Sequence, residues 1–301
     1  MNEKDLKNYN QIRKENAVGF HRQKRGLIEV SGKEAVQFLN GLITNDVAKL
    51  ADGAQMSAAF PNVQGRLLAF VRVLRTGDKF LFETEETTRE KVFHNLFRFT
   101  YAGDFFVEDL SENFEYFEIS NLKSEISNSD STVFDSKFGK DFFVPKESAD
   151  KFLNELKANN AVEISDSLDE VLRIENGIPK YGVDIDETNV VLESGLDEAV
   201  NFNKGCYLGQ EIIARIHFRG HVAKKLTGLI FEDENANINP GDEIKSAEGK
   251  NAGKITSVTY SPKLEKTIAL GLVRYDFLAE ETELDIGDLK AKVKNLPFIE
   301  K

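Results

Sequence analysis

The chain holds a single cysteine, Cys206, no tryptophan, two methionines and six prolines in 301 residues. One thiol cannot close a disulfide within the chain, nor supply four ligands to a zinc or iron–sulfur centre. Any cluster handled here draws ligands from elsewhere, and no metal site of the chain's own is expected. No run of about 18 apolar residues is present, so no membrane-spanning helix is expected. The segment from Met1 to Arg25 is dense in charge and lacks the apolar stretch of a secretory signal. These absences predict a cytoplasmic protein. Positive charge is also in short supply: 39 Lys plus Arg stand against 51 Asp plus Glu, a net charge of -12. That balance argues against a general nucleic-acid coat or an anionic-membrane binder. With 41% hydrophobic and 30% charged residues, the composition is that of an ordinary folded protein. The length corresponds to about two domains, or three if one is a small barrel.

The first 217 residues mix two periodicities. Glu3 to Glu15 reads as a polar helix and Arg25 to Gly32 as a strand, after which Ser31 is placed to cap a helix over Lys33 to Ile43 that ends at the Thr44-Asn45-Asp46 turn. Alternating apolar stretches at Ser57–Phe60, Arg66–Leu74 and Lys79–Phe82 predict consecutive antiparallel strands. A helix follows over Thr88–Tyr101, then short strands over Phe105–Phe117, and Asn121–Ser136 reads as a loop. Further helices are expected over Ser148–Asn159 and Ser167–Asn176, the latter stopped at Gly177 with Pro179 beyond. This is an α+β pattern. Beyond residue 217 the helical signal fades. Leu226–Phe231, Gly253–Tyr260, Thr267–Val273 and Leu289–Val293 read as strands of an all-β module, expected to be a small barrel.

The most informative segment surrounds the cysteine: Asn203-Lys-Gly-Cys-Tyr-Leu-Gly-Gln-Glu-Ile-Ile-Ala-Arg-Ile216. Gly205 and Gly209 bracket Cys206 in a tight turn, and Gln210–Ile216 has the spacing of a starting helix. A thiol just before a helix N-terminus and near the Lys204 ammonium is expected to be more reactive than a free one. The competing reading is a small buried hydrophobe. Residues 201–225 carry five basic side chains (Lys204, Arg215, Arg219, Lys224, Lys225) against Glu211 alone, which suits a carboxylate- or phosphate-bearing ligand, or a solvated face. His217 and His221 share a helical spacing, but Gly220 interrupts it and argues against a metal pair. A second candidate is Glu175, at the end of its helix, where a carboxylate meets the negative end of the dipole. It could accept paired hydrogen bonds from a heterocycle with adjacent N–H groups, or pair with Arg173 or Lys180.

The string Lys204-Gly-Cys-Tyr-Leu-Gly-Gln-Glu211, continued by Ala214-Arg215 and Phe218-Arg219-Gly220, resembles the signature of the folate-binding YgfZ proteins. Phe38-Leu39 with Gly41, Thr44-Asn45-Asp46-Val47, Gln64-Gly65-Arg66 and Arg173-Ile-Glu-Asn-Gly-Ile-Pro179 follow the same family in order. That family is similar in turn to the T-protein of the glycine cleavage system, an aminomethyltransferase that uses tetrahydrofolate. The resemblance implies the GcvT-like fold: residues 1–215 as two intertwined α+β subdomains around a folate channel, with an inserted part at roughly 51–111, and 216–301 as a C-terminal β-barrel. It implies tetrahydrofolate or a one-carbon-substituted folate as cofactor, and iron–sulfur enzymes or their assembly proteins as partners of a monomer. Lys204 and Cys206 become the family's functional pair, with Glu175, Tyr207, Gly209, Gln210, Glu211 and Arg215 as candidate folate-binding residues. One departure bears on chemistry. T-proteins carry an aspartate required for methylene transfer where Gly65-Arg-Leu-Leu-Ala-Phe70 offers only Leu68 and Ala69. Accessory action in iron–sulfur maturation is therefore the first reading, and an aminomethyltransferase-like one-carbon transferase the alternative.

Overall fold

Strand β4 (Leu67–Thr76) shows how this sequence builds its sheets: Leu67, Ala69, Val71 and Val73 are buried on one side while Phe70, Arg72 and Leu74 point to the other. The computed structural model describes residues 1–14, 17–122, 130–233 and 236–299. In chain order the other strands are β1 (Gly19–Gln23), β2 (Arg25–Ser31), β3 (Gln55–Pro61), β5 (Lys79–Glu85), β6 (Phe106–Asp109), β7 (Phe114–Ser120), β8 (Thr132–Asp135), β9 (Gly139–Pro145) and β10 (Val162–Glu163). Next come β11 (Lys224–Phe231), β12 (Glu243–Ser246), β13 (Asn251–Ser261), β14 (Lys266–Arg274), β15 (Glu283–Ile286) and β16 (Leu289–Lys294). The helices are α1 (Glu3–Lys14), α2 (Ala35–Leu42), α3 (Glu86–Phe97), α4 (Lys146–Ala158), α5 (Asp166–Glu175) and α6 (Gln210–Arg219).

These elements form two units, one of Met1–Phe60, Leu68–Asp169 and Glu198–Leu208, the other of Pro61–Leu67, Glu170–Asp197 and Gly209–Lys301. The Pro61–Leu67 turn and the Glu170–Asp197 segment belong to the barrel's unit. Within 51–111, β5 and β6 pair with β2, and β4 pairs with β5.

The first unit contains two five-stranded sheets, ordered β3-β4-β5-β2-β6 and β10-β1-β7-β9-β8. One face of the first sheet packs on α2 and α3 through Ile28, Val30, Leu39, Val71, Phe82 and Leu96. The second sheet packs on α4 through Phe20, Phe117, Ile119, Phe142 and Phe152. Between the sheets, Leu27 and Leu81 meet Tyr116, Phe134 and Phe143. That layer also encloses charge: Glu83, 1% exposed, accepts from Arg25 Nε at 2.5 Å and Arg72 Nε at 2.7 Å, and Arg72 Nη1 reaches Asp141 at 2.5 Å.

The second unit holds a closed barrel in the order β11-β14-β13-β12-β15-β16, filled by Leu229, Ile244, Ile255, Val273, Leu284 and Val293. Helix α5 ends in a Schellman motif, with Gly177 N bonded to Ile174 O and Ile178 N to Arg173 O. Gly177 has φ +63, and a Cβ there would lie 2.7 Å from Leu296 Cβ, so two constraints demand glycine.

Several expectations need correction. Ser31 does not cap α2: it ends β2, and Glu34 occupies the cap without a side-chain bond. The helix expected to reach Tyr101 stops at Phe97. The Asn121–Ser136 loop contains β8, and residues 123–129 of it lie outside the described residues. The short β12 and β15, unnoticed in the sequence, close the barrel.

Candidate functional site around Cys206

Within the first unit, the stretch that carries Cys206 is anchored through Lys204 and Leu208. In the first unit, Lys204 is 8% exposed and its Nζ donates to Ile43 O at 2.8 Å and Asn45 O at 2.6 Å. Its third side faces the Tyr207 ring, 5.2 Å from the centroid, a cation–π contact. Leu208 N donates to Gly41 O. The Thr44-Asn45 turn that receives Lys204 is itself fixed: Thr44 Oγ1 donates to Ala199 O at 2.6 Å, and Asn45 Nδ2 to Ser57 O at 2.8 Å. Two strings 160 residues apart in the sequence thus form one stitched loop pair. Burial lowers the Lys204 pKa to about 8 against the opposing pull of Asp46, and burial raises that of Tyr207 to about 12. Both of its hydrogen bonds commit the Lys204 ammonium to carbonyls.

Cys206 lies between these anchors and is exposed. The buried-hydrophobe reading is excluded by that exposure. Lys204→Met would leave two buried carbonyls without donors, at about 1–3 kcal/mol each. The variant is expected to unfold about 2–4 kcal/mol earlier in urea, and an unchanged midpoint would contradict the clamp.

In the second unit, Gly209 caps α6 with φ +76, and a Cβ there would sit 2.3 Å from Asn62 O. Gly65, φ +69, lies against Ile212 and Ile213 of the same helix. Asn62 Oδ1 shapes the turn by accepting from Gln64 N and Arg66 N, both at 2.9 Å. The Gln64-Gly65-Arg66 string is therefore the seat of the helix that follows the cysteine loop. Arg66 donates from Nη1 to Thr188 O, and Leu67 N to Asn189 O at 2.9 Å. Gln210 is half-buried at the start of α6, Glu211 and Arg215 are exposed on it. His221 falls outside the helix, stacked 3.6 Å on Tyr275. Among the described residues no His, Cys, Asp and Glu group could hold a metal.

Glu175 belongs to the second unit and is fully buried, its Oε1 accepting from Ser261 Oγ of β13 at 2.6 Å. The expected pairing with Arg173 is not what that arginine does. Arg173 donates from Nη1 to Asp184 at 2.6 Å and from Nη2 to Ser257 Oγ at 2.9 Å, and pairs with Glu170. Asp184 also accepts from Thr256 Oγ1 and Lys180 N, tying the 177–184 turn to the barrel. Ala69 is buried in the sheet of the first unit, and Leu68 packs against that unit's core; neither position carries an ionisable group.

The structure thus brings Lys204, Cys206 and Tyr207 together, and seats Gly209 and Gln210 at the head of α6. Thr44 and Asn45 are the functional neighbours not singled out from sequence as site residues. Their signal was the Thr44-Asn45-Asp46 string itself, which says nothing of what its carbonyls bind.

Comparison with known proteins agrees with this architecture. Residues 3–125 match the GCVT N-terminal domain, and residues 224–300 match the glycine cleavage T-protein C-terminal barrel domain. The chain carries domains of the GcvT family. The crystal structure of glycine cleavage system aminomethyltransferase T from Bartonella henselae superposes with a TM-score of 0.88 at 20% identity, covering 98% of this chain and 89% of that one. The fold is GcvT-like. An "iron-sulfur cluster assembly factor IBA57 homolog, mitochondrial" from Mycosarcoma maydis is 28% identical over 91% of this chain and 78% of its own length. An aminomethyltransferase of Pseudothermotoga lettingae is 28% identical over 95% of this chain and 87% of its own length. Among the described residues no helix is long and apolar enough to cross a membrane.

Proposed function

We propose that this GcvT-like chain is a folate-binding accessory factor of the YgfZ kind, a cytoplasmic monomer that serves the maturation or repair of iron–sulfur enzymes through the Cys206 thiol. The observation that carries the reading is an exposed thiol on a stretch pinned by the buried Lys204 and by the Leu208 N–H on Gly41 O. Likeness to the Mycosarcoma maydis assembly factor supports the same direction. One thiolate cannot retain a cluster alone, so Cys206 works transiently, as one ligand of a shared cluster that a partner's thiolate then replaces.

Tetrahydrofolate or a one-carbon-substituted form is the cofactor proposed from the GcvT-like fold; when bound, the substituted form would supply a one-carbon unit and tetrahydrofolate itself would accept one. The donor set fits only in part. Glu175 has the acceptor chemistry a pterin edge requires, but it is fully buried and its Oε1 already accepts from the Ser261 hydroxyl. Arg215, exposed on α6, has the charge to hold the folate's carboxylates, and Tyr207, Gln210 and Glu211 complete the proposed set.

The alternative, aminomethyl transfer, is favoured by relatives bearing that name. Leu68 and Ala69 weigh against it, because an aliphatic pair can neither move a proton nor stabilise a developing cation. Calorimetric titration of the whole chain with tetrahydrofolate and its 5-formyl form tests the cofactor. One-to-one binding in about the micromolar range is expected. Absence of heat up to about 1 mM of either form would remove folate from the account.

A further inference from the structure

The first unit contains a cavity of about 380 Å³ that takes no part in the Cys206 loop. Its floor is aromatic: Tyr116 and Phe143 are buried, with ring centroids 5.0 Å apart. Its rim is cationic, with Lys24, Arg25, Arg89 and Lys146 among the lining residues. Three carboxylates of the chain line it as well: Glu115 pairs with Arg22, Glu86 lies 3.6 Å from Arg89 Nη1, and Glu112 stands between Arg89 and Lys146. Glu112 accepts from Arg89 Nη1 at 2.8 Å and lies 3.7 Å from Lys146 Nζ, yet its side chain is 74% exposed. The Arg89 hydrogen bond, helped by the charges of Arg89, Lys146 and Lys24, holds its carboxyl below the usual range.

The cradle does not depend on Glu112 for its shape. Arg89 is held from behind by Asp109, which accepts from its Nε at 2.8 Å, so the guanidinium keeps its aim when Glu112 leaves. An exposed carboxylate gains little from such pairing and is free to swing into water. An external carboxylate or phosphate makes the same charge-assisted bonds, and a planar ring attached to it gains the aromatic floor as well.

We infer that this cavity is a binding site for small aromatic anions, the ring lying on Tyr116 and Phe143, the anionic group on Arg89 and Lys146, and Glu112 acting as the internal occupant that the ligand displaces. This site is independent of the proposed folate chemistry. Carboxylate and phosphate sources share the chemistry, so the test uses one of each, hippurate and adenosine 5′-monophosphate, titrated into the full chain and followed by calorimetry.

At least one probe is expected to bind one-to-one. Glu112→Gln removes the competing charge and should tighten binding about three- to tenfold. Lys146→Met, at an exposed position 3.7 Å from Glu112, should weaken it by a similar factor. Binding of hippurate alone assigns a carboxylate ligand, of the nucleotide alone a phosphate ligand, and of both a site that reads charge and ring together. Failure of both probes to bind at about 10 mM, or binding indifferent to both substitutions, would overturn the inference.

Discussion

Glu83→Ala is expected to destabilise the first unit by about 3–5 kcal/mol, because it strips two half-buried arginines of the buried carboxylate they share. Arg25 and Arg72 both bond this carboxylate, and Arg72 has Asp141 as its second partner. Tyr116, buried beside them, takes the Arg25 guanidinium over its ring at 5.8 Å and offers its hydroxyl to Arg72 at 3.4 Å. Without Glu83 the two guanidinium groups face each other inside the sheet-on-sheet layer with one carboxylate between them. Burial pushes the Glu83 carboxyl up, but the two arginines outweigh it and bring its pKa to about 2. A folded-state pKa below the ordinary carboxylate value contributes stability above that ordinary value and loses it as pH falls toward 2.

Glu118 has the opposite sign. It stands directly across from His21 on β1 and from Asp141 on β9. Burial first, then the charges of Asp141 and Asp169, raise its carboxyl to about 8. Its proton therefore stabilises the fold at low pH, and that contribution disappears as pH rises through 8. The two contributions together should make the first unit most stable near the ordinary carboxylate value of 4.5, falling as the pH drops toward 2 and as it rises from there to about 8. In Glu83→Ala the acid limb is expected to flatten while the alkaline limb persists. Urea unfolding between pH 3 and 9 checks both. A loss under about 1 kcal/mol, or an unaltered acid limb, would mean that the charge layer is not organised around Glu83.

Cys206→Ala is expected to abolish rescue of iron–sulfur enzyme activity in a strain lacking the factor, with the unfolding midpoint unchanged. The side chain is exposed and the loop is held by Lys204 and Leu208, so deletion of the sulfur opens no cavity and breaks no clamp. A surface substitution of this kind costs within about 0.5 kcal/mol. Loss of function without loss of stability is the signature of a working thiol. Full rescue by the alanine variant would refute the role of Cys206 and leave the chain as a folate module without thiol chemistry.

The barrel, the α+β region and the helix after the cysteine were legible from periodicity, because each apolar stripe has one face to cover. The Gly177 stop was legible for the same reason, since a left-handed residue ends a helix whatever surrounds it. The charge layer was not. Arg72 alternates with Val71 and Val73, and Glu83 follows Phe82, a pattern that reads as a polar face toward water; a second sheet covers that face instead. Strands β12 and β15 are four residues each, too short to show alternation. At the candidate site, the motif marked Lys204 and Cys206 as partners. What it could not show is that the ammonium is spent on the carbonyls of Ile43 and Asn45.

The account stands or falls on an accessible sulfur whose surroundings are occupied by folate when the factor is loaded. Iodoacetamide labelling at neutral pH, read by mass spectrometry with and without saturating tetrahydrofolate, measures this directly. One adduct, on Cys206, is expected to form readily in the free chain and several-fold more slowly in the folate-bound chain. An unlabelled cysteine, or a rate that folate leaves untouched, would contradict it.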